Sequence, residues 1–88
     1  MLSARTMTDE QAEVLEAIAL KTSDIVGKPL KKTAMPNGAL VIGIIHEGEI
    51  EIPSGESIIQ PDDRIIIFAK RQVISKIEKI LSVKLEFF

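Results

Sequence analysis

The chain contains no cysteine, no tryptophan and no tyrosine, and it has one histidine. Without thiols, disulfides and thiolate metal centres are excluded, a composition consistent with a cytosolic protein. One histidine excludes a His-rich metal site, and with no cysteine it leaves no nucleophile–base pair to assemble. The only aromatic rings are Phe68, Phe87 and Phe88, too few for a platform that stacks single-stranded bases. Basic residues number 11 against 13 acidic ones, for a net charge of −2. A nucleic-acid partner is therefore not expected, because phosphate neutralisation needs a basic face. No apolar run approaches the roughly 20 residues of a membrane span, and the first residues lack the apolar segment of a signal peptide. Walker, Gly-x-Gly-x-x-Gly and Gly-x-Ser-x-Gly loops are also missing, so these routes to nucleotide binding or acyl transfer are closed. The expectation is no enzyme, no catalytic residue, no metal and no cofactor.

What is present is aliphatic. Of 88 residues, 45% are hydrophobic and 27% charged, and isoleucine alone appears 15 times. That balance suits one folded domain, and β-branched side chains favour strands. A chain of this size buries only about 60–65% of its unfolded surface, so it often draws stability from a partner.

Residues 1–11 read as a polar stub or linker. Thr8-Asp9-Glu10-Gln11 has the form of a helix capping box, and residues 12–20 combine high helix propensity with partial alternation, so local rules slightly favour helix there. Thr22-Ser23-Asp24 is a turn cluster. Gly27 suits a positive φ and Pro29 the start of a short helix ending by Ala34. Pro36-Asn37-Gly38 then turns the chain. Residues 39–45 are continuously apolar and read as a strand buried on both faces. His46-Glu47-Gly48-Glu49 forms a tight turn into Ile50-Glu51-Ile52, which pairs back as a hairpin. Ser57-Ile58-Ile59 is a candidate short strand. Gln60-Pro61-Asp62-Asp63 fits a type I turn, and residues 64–69 a second buried strand. From Arg71 to about Val83, apolar residues at 73, 74, 77, 80 and 81 make a helical stripe. Residues 83–88 form an apolar tail. The fold class is α+β, a small antiparallel sheet with helices on one face in the order β-α-β-β-β-α once 13–20 is taken as a strand.

The charged clusters carry little chemistry. Asp62-Asp63 and Glu47, Glu49 and Glu51 suit a capped turn and the wet face of a hairpin better than a cation site, which needs several converging oxygens. His46, beside Glu47, reads as a half-exposed turn histidine or, more sharply, as a ligand contact or pH-sensitive interface residue. Lys28, Lys31 and Lys32 read as a solvated face or as phosphate contacts near a helix end.

Three blocks between residues 12 and 81 resemble the C-terminal domain of the potassium-transport regulator family, also called RCK-C or TrkA-C. The first runs from Ala12-Glu13-Val14-Leu15-Glu16 to Ile25-Val26-Gly27-Lys28-Pro29-Leu30-Lys31. The second is Gly38-Ala39-Leu40-Val41-Ile42-Gly43-Ile44-Ile45. The third extends from Ile52-Pro53-Ser54-Gly55 through Gln60-Pro61-Asp62-Asp63 to Arg64-Ile65-Ile66-Ile67-Phe68. Single blocks are weak signals, but three in this order and spacing are specific. The family's first strand falls on residues 13–20, which decides for strand against local propensity. Gly27, Pro53, Gly55 and Asp63 are read as makers of the fold, with Asp63 capping its turn through backbone N–H groups. The sequence also departs from the family. His46 stands where arginine is common, Asp62 where glycine is common and Glu56 where aspartate is common. The loop 33–38 is short, and of the groups with which relatives hold cyclic di-AMP only Asn37 offers a counterpart.

The resemblance implies a regulatory domain, residues 12–82, that senses a ligand, dimerises and acts on a potassium or other cation transport system, Trk-type uptake first. Its place would be the cytoplasmic face of the membrane, through a transporter or channel subunit. Alternatives are another carrier, such as a cation–proton antiporter or dicarboxylate-type transporter, or the sensor of a transcription regulator. The family's usual partner is a Rossmann-type nucleotide-binding domain, whose fingerprint is missing here, so the chain reads as an excised fragment or a free-standing regulator. Candidate contacts to a small nucleotide ligand are Lys28, Met35, Pro36, Asn37 and His46. Val83, Leu85, Phe87 and Phe88 are the candidate homodimer interface.

Overall fold

The computed structural model describes residues 11–83 and 85–87, with the side chain of Phe87 left undescribed. Five strands form one sheet: β1 (Ala12–Ile18), β2 (Ala39–His46), β3 (Glu49–Glu51), β4 (Arg64–Lys70) and β5 (Glu86–Phe87). Their order is β3-β2-β4-β1-β5, and every paired neighbour is antiparallel. One 3-10 turn (Leu30–Lys32), a second (Arg71–Val73) and helix α1 (Ile74–Leu81) complete the described elements.

β1 is a strand because both its edges are taken. All seven of its residues pair with β4, and Leu15 and Glu16 also pair with Phe87 and Glu86 of β5. Those long-range hydrogen bonds outweigh the local helix preference of an Ala- and Glu-rich segment. The core lies on one face. Leu15, Ala17, Val41, Ile44, Ile65, Ile67 and Ala69 from the strands meet Ile25, Ile59, Val73, Ile77 and Leu81 from the covering segments. The helical stripe closes there because Val73, Ile77 and Leu81 recur once per turn. Ser82, at φ 60, ends α1 in the left-handed conformation. The amide of Val83 donates to the Glu78 carbonyl and the amide of Leu85 to its carboxylate, 3.2 and 2.9 Å. Both side chains pack half-buried against the core.

Three expectations need correction. β2 is not buried on both faces: Leu40 is 63% and Ile42 37% exposed. A bulge between Val41 and Gly43 inserts one extra residue, so the apolar run changes phase and Ile42 is left over. The turn at 60–63 is not type I. Asp62 stands at φ 72, with the Asp63 amide 3.2 Å from the Gln60 carbonyl, which is the left-handed third position of a type II turn. Residues 57–59 do not form a strand but make two isolated bridges, Ile58 to Pro29 and Ile59 to Val26.

Candidate ligand-binding site

Because β3 is only three residues long, it pairs with Ile44, Ile45 and His46 alone. Among the described residues no strand covers the other half of that β2 edge. The chain leaves β3 through Pro53-Ser54-Gly55 and returns to the 3-10 turn, where Lys31 donates its amide to the Gly55 carbonyl at 2.9 Å and Leu30 to the Ser57 carbonyl at 2.9 Å. The result is a cleft of about 270 Å³ between the open half of β2, the 3-10 turn and the 53–55 loop.

Its floor and walls are Leu30, Met35, Ala39, Leu40, Val41 and Pro53, and its polar rim is Lys31, Thr33, Ser54 and the Gly55 backbone. Local bonds set that rim. The Thr33 hydroxyl donates to the Leu30 carbonyl at 2.7 Å. Ser54 Oγ accepts from the Glu56 amide at 3.2 Å. The amide of Ser54 donates to Ser57 Oγ at 3.0 Å, and that hydroxyl donates to Glu51 Oε2 at 2.6 Å. Lys31 Nζ meets Glu56 Oε2 at 2.5 Å in an exposed pair, which is worth little in water and can be exchanged for a ligand anion. An apolar slot with few polar groups at its rim is how small-molecule sites are generally built.

The second polar feature lies at the far end of β2. His46 follows the last apolar residue of the strand. Glu47 at φ 49 and Gly48 at φ 82 then make a two-residue turn with both central residues left-handed, the type I′ geometry that matches strand twist. His46 Nδ1 hydrogen-bonds Asp63 Oδ1, and Nε2 lies 2.9 Å from Glu47 Oε2. The Asp63 side chain is 2% exposed and the His46 side chain 50%. Asp63 Oδ2 accepts from the Gln60 amide at 2.9 Å. The hydrogen bond to the Asp63 carboxylate, helped by the negative charges of Asp63 and Glu47, raises the His46 pKa above 6.5. This Asp–His pair carries no nucleophile. Its outer nitrogen faces a carboxylate, where triad chemistry requires a hydroxyl or thiol. Among the described residues no group of three or more acidic or histidine side chains gathers to hold a metal.

Of the candidate ligand residues, Met35 lines the cleft, while Lys28, Pro36 and Asn37 are not among its lining residues and His46 lies at the other end of β2. Pro53 and Gly55, read from sequence as fold-makers, line it too. Ser54 and Thr33 had no signal in the sequence, since the contacts that bring residues 30–33 beside 53–55 span more than twenty positions. Lys31 was visible as one of three clustered lysines. Of the interface candidates, Val83 and Leu85 pack against the core, the Phe87 backbone pairs with Leu15, and Phe88 falls outside the described residues.

Known proteins match this geometry and sequence. The TrkA-C domain matches residues 14–82. A Trk system potassium uptake protein TrkA homolog 2 of Methanosarcina mazei is 44% identical over 75 residues, covering 85% of this chain. The chain spans only 17% of that relative's length. Among solved structures, the RCK_C domain dimer of S. agalactiae BusR in complex with c-di-AMP superposes with a TM-score of 0.69 at 22% identity, covering 80% of this chain and 96% of that one. S. agalactiae BusR in complex with its busAB-promotor DNA gives 0.70 at 22% identity, covering 81% and 36%. At that identity the structural likeness is one of fold. With the family match running through both 3-10 turns, the cleft and α1, the chain belongs to the TrkA-C domain family.

Proposed function

We propose that this chain is the ligand-sensing, dimerising regulatory domain of a Trk-type potassium uptake system, working at the cytoplasmic face of the membrane on a transporter subunit. The family match and the names of its relatives support the potassium system. The observation that carries the sensing role is the cleft beside the open half of β2. It is apolar inside, ringed by Lys31, Thr33 and Ser54, and holds one cation whose present partner is an exposed carboxylate. Such a rim suits a small nucleotide with an apolar base face and an anionic group. Binding acts on the transporter only through different affinities for two arrangements of the protomers. A second reading, the sensor of a transcription regulator, is favoured by the promoter-bound neighbour of the same fold.

The test is thermal unfolding of the purified chain with cyclic di-AMP, ATP, ADP, NADH, potassium, calcium and magnesium. Ligand at a hundred times its dissociation constant adds about 2.7 kcal/mol. At about 4–8 °C per kcal/mol for a domain of this size, the midpoint rises by about 10–20 °C. No shift with any member of the panel would overturn the sensing role.

A further inference from the structure

Among the described residues β3 is the last strand on its side of the sheet. The segment Glu49-Ile50-Glu51-Ile52 alternates, so its side chains part into two rows. Glu51 pairs with the core residue Ile44, which puts Glu49 and Glu51 on the covered side. Ile50 and Ile52 fall on the outer face, where they are 68% and 80% exposed. The hairpin fixes the backbone as well. Across its two-residue turn the closing pair, His46 and Glu49, exchanges hydrogen bonds, and the next pair, Ile45 and Ile50, does not. The N–H and C=O of Ile50 therefore point away from β2, toward the free edge. Edge strands are ordinarily guarded by lysine, proline or a covering segment. β3 contains neither lysine nor proline, and all three of its residues are exposed.

We propose that the β3 edge takes an extended segment of a partner protein, with basic and apolar residues in alternation, as a further antiparallel strand. Strand addition draws affinity from main-chain bonds at the edge and specificity from alternate side chains. The main-chain bonds centre on Ile50. Apolar residues of the segment then lie beside Ile50 and Ile52 on the outer face, and basic residues beside Glu49 and Glu51 on the other. An open recess of about 550 Å³, lined by His46, Glu47, Glu49, Ile50 and Glu51, gives a long basic side chain room. Three glutamates against one histidine keep that recess negative in either charge state of His46. Neither Glu49 nor Glu51 is ion-paired among the described residues; Glu51 accepts from the Ser57 hydroxyl. The same charges disfavour a second copy. Two β3 edges paired antiparallel about Ile50 set each Glu49 against a Glu51, and like charges directly opposite destabilise a strand pair. The ligand cleft lies along the other half of β2 and shares no lining residue with the recess, so the two sites are chemically separate.

Amide hydrogen exchange of the whole chain, read by ¹H–¹⁵N NMR, tests this with three short capped peptides. One alternates lysine and valine. The second alternates glutamate and valine. The third is the lysine peptide with N-methylated valines, which keeps its charge but loses the N–H groups that would meet Ile50. The lysine peptide is expected to slow exchange at the Ile50 amide at least tenfold, and the other two to leave it unchanged. Glu49→Lys should weaken binding of the lysine peptide at least tenfold. Ile50→Pro removes the outward N–H at an edge position, where proline is tolerated, and should abolish binding while the domain still melts cooperatively. No protection of Ile50 at millimolar lysine peptide overturns the proposal. So does equal protection by the glutamate or N-methylated peptide, or binding undisturbed by Glu49→Lys. Attraction without protection of Ile50 would show charge alone at work and overturns strand addition as well.

Discussion

Asp63→Ala is expected to be among the most costly polar substitutions in this domain. The carboxylate is 2% exposed and accepts from two sides, His46 Nδ1–H at one oxygen and the Gln60 amide at the other. Hydrogen bonds to a charged group contribute about 1.5–3 kcal/mol each. His46, half in solvent, is rehydrated when its partner goes, and the amide of the exposed Gln60, whose bond to Asp63 is part-buried, is less so. The net loss is therefore about 3 kcal/mol, a large share of the 5–15 kcal/mol that holds a typical domain. At about 4–8 °C per kcal/mol, the midpoint falls by about 12–24 °C. His46→Ala removes one of the two donors and leaves the other, so a smaller loss than that of Asp63→Ala is expected. Asp63→Asn keeps an acceptor for Gln60 and falls between the wild type and the alanine variant. Urea unfolding of the three variants and the double mutant measures these losses and the coupling between the pair. A loss below 1 kcal/mol for Asp63→Ala, or a His46→Ala loss equal to it, would refute the reasoning.

Three further outcomes follow from the same geometry. His46 has a folded pKa raised above 6.5 by its bond to Asp63. Its contribution to stability is thus fully present below about pH 6.5 and is lost as pH rises through the folded value. Melting midpoints between pH 5.5 and 8.5 should decline more steeply for the wild type than for His46→Asn, and parallel profiles would contradict this. Asp62, at φ 72, occupies a backbone region that glycine adopts without strain. Asp62→Gly is therefore expected to be neutral or to stabilise by up to about 1 kcal/mol in urea unfolding, despite the entropy glycine adds to the unfolded chain; a clear loss would show that the side chain contributes there. Gly27, at φ 86 with open space where a side chain would begin, should cost about 1–2 kcal/mol as Gly27→Val from backbone strain alone, and an unchanged midpoint would remove the left-handed turn from the account.

The parts of the fold that were legible in the sequence are those with a local signature. The stripe at 73, 77 and 81, the apolar run at 64–69 and the glycine and proline punctuation at 27–29 and 53–55 announce themselves within a few residues. β1 lacked that advantage. Its own residues favour helix, and only the family pattern, which encodes its pairing with β4, places it correctly. The Asp62 position shows a milder version of the same limit. Proline at 61 is compatible with both type I and type II turns, and only the left-handed φ distinguishes them. The bulge at Ile42 was hidden because an unbroken aliphatic run carries no phase. The His46–Asp63 pair, the cleft rim and the 86–87 strand depend on contacts between residues far apart in sequence, and no residue among them marks its partner.

The central claim is that the cleft between Leu30–Lys32, the open half of β2 and the 53–55 loop is where the regulatory ligand is read. A ¹H–¹⁵N NMR titration of the chain with cyclic di-AMP, and then with the other nucleotides in turn, tests it most directly. The account predicts saturable shifts at the amides of Lys31, Thr33, Leu40, Ser54 and Gly55, with the His46–Asp63 turn unmoved. Shifts centred on residues 46–49, or no shift with any nucleotide, would contradict it.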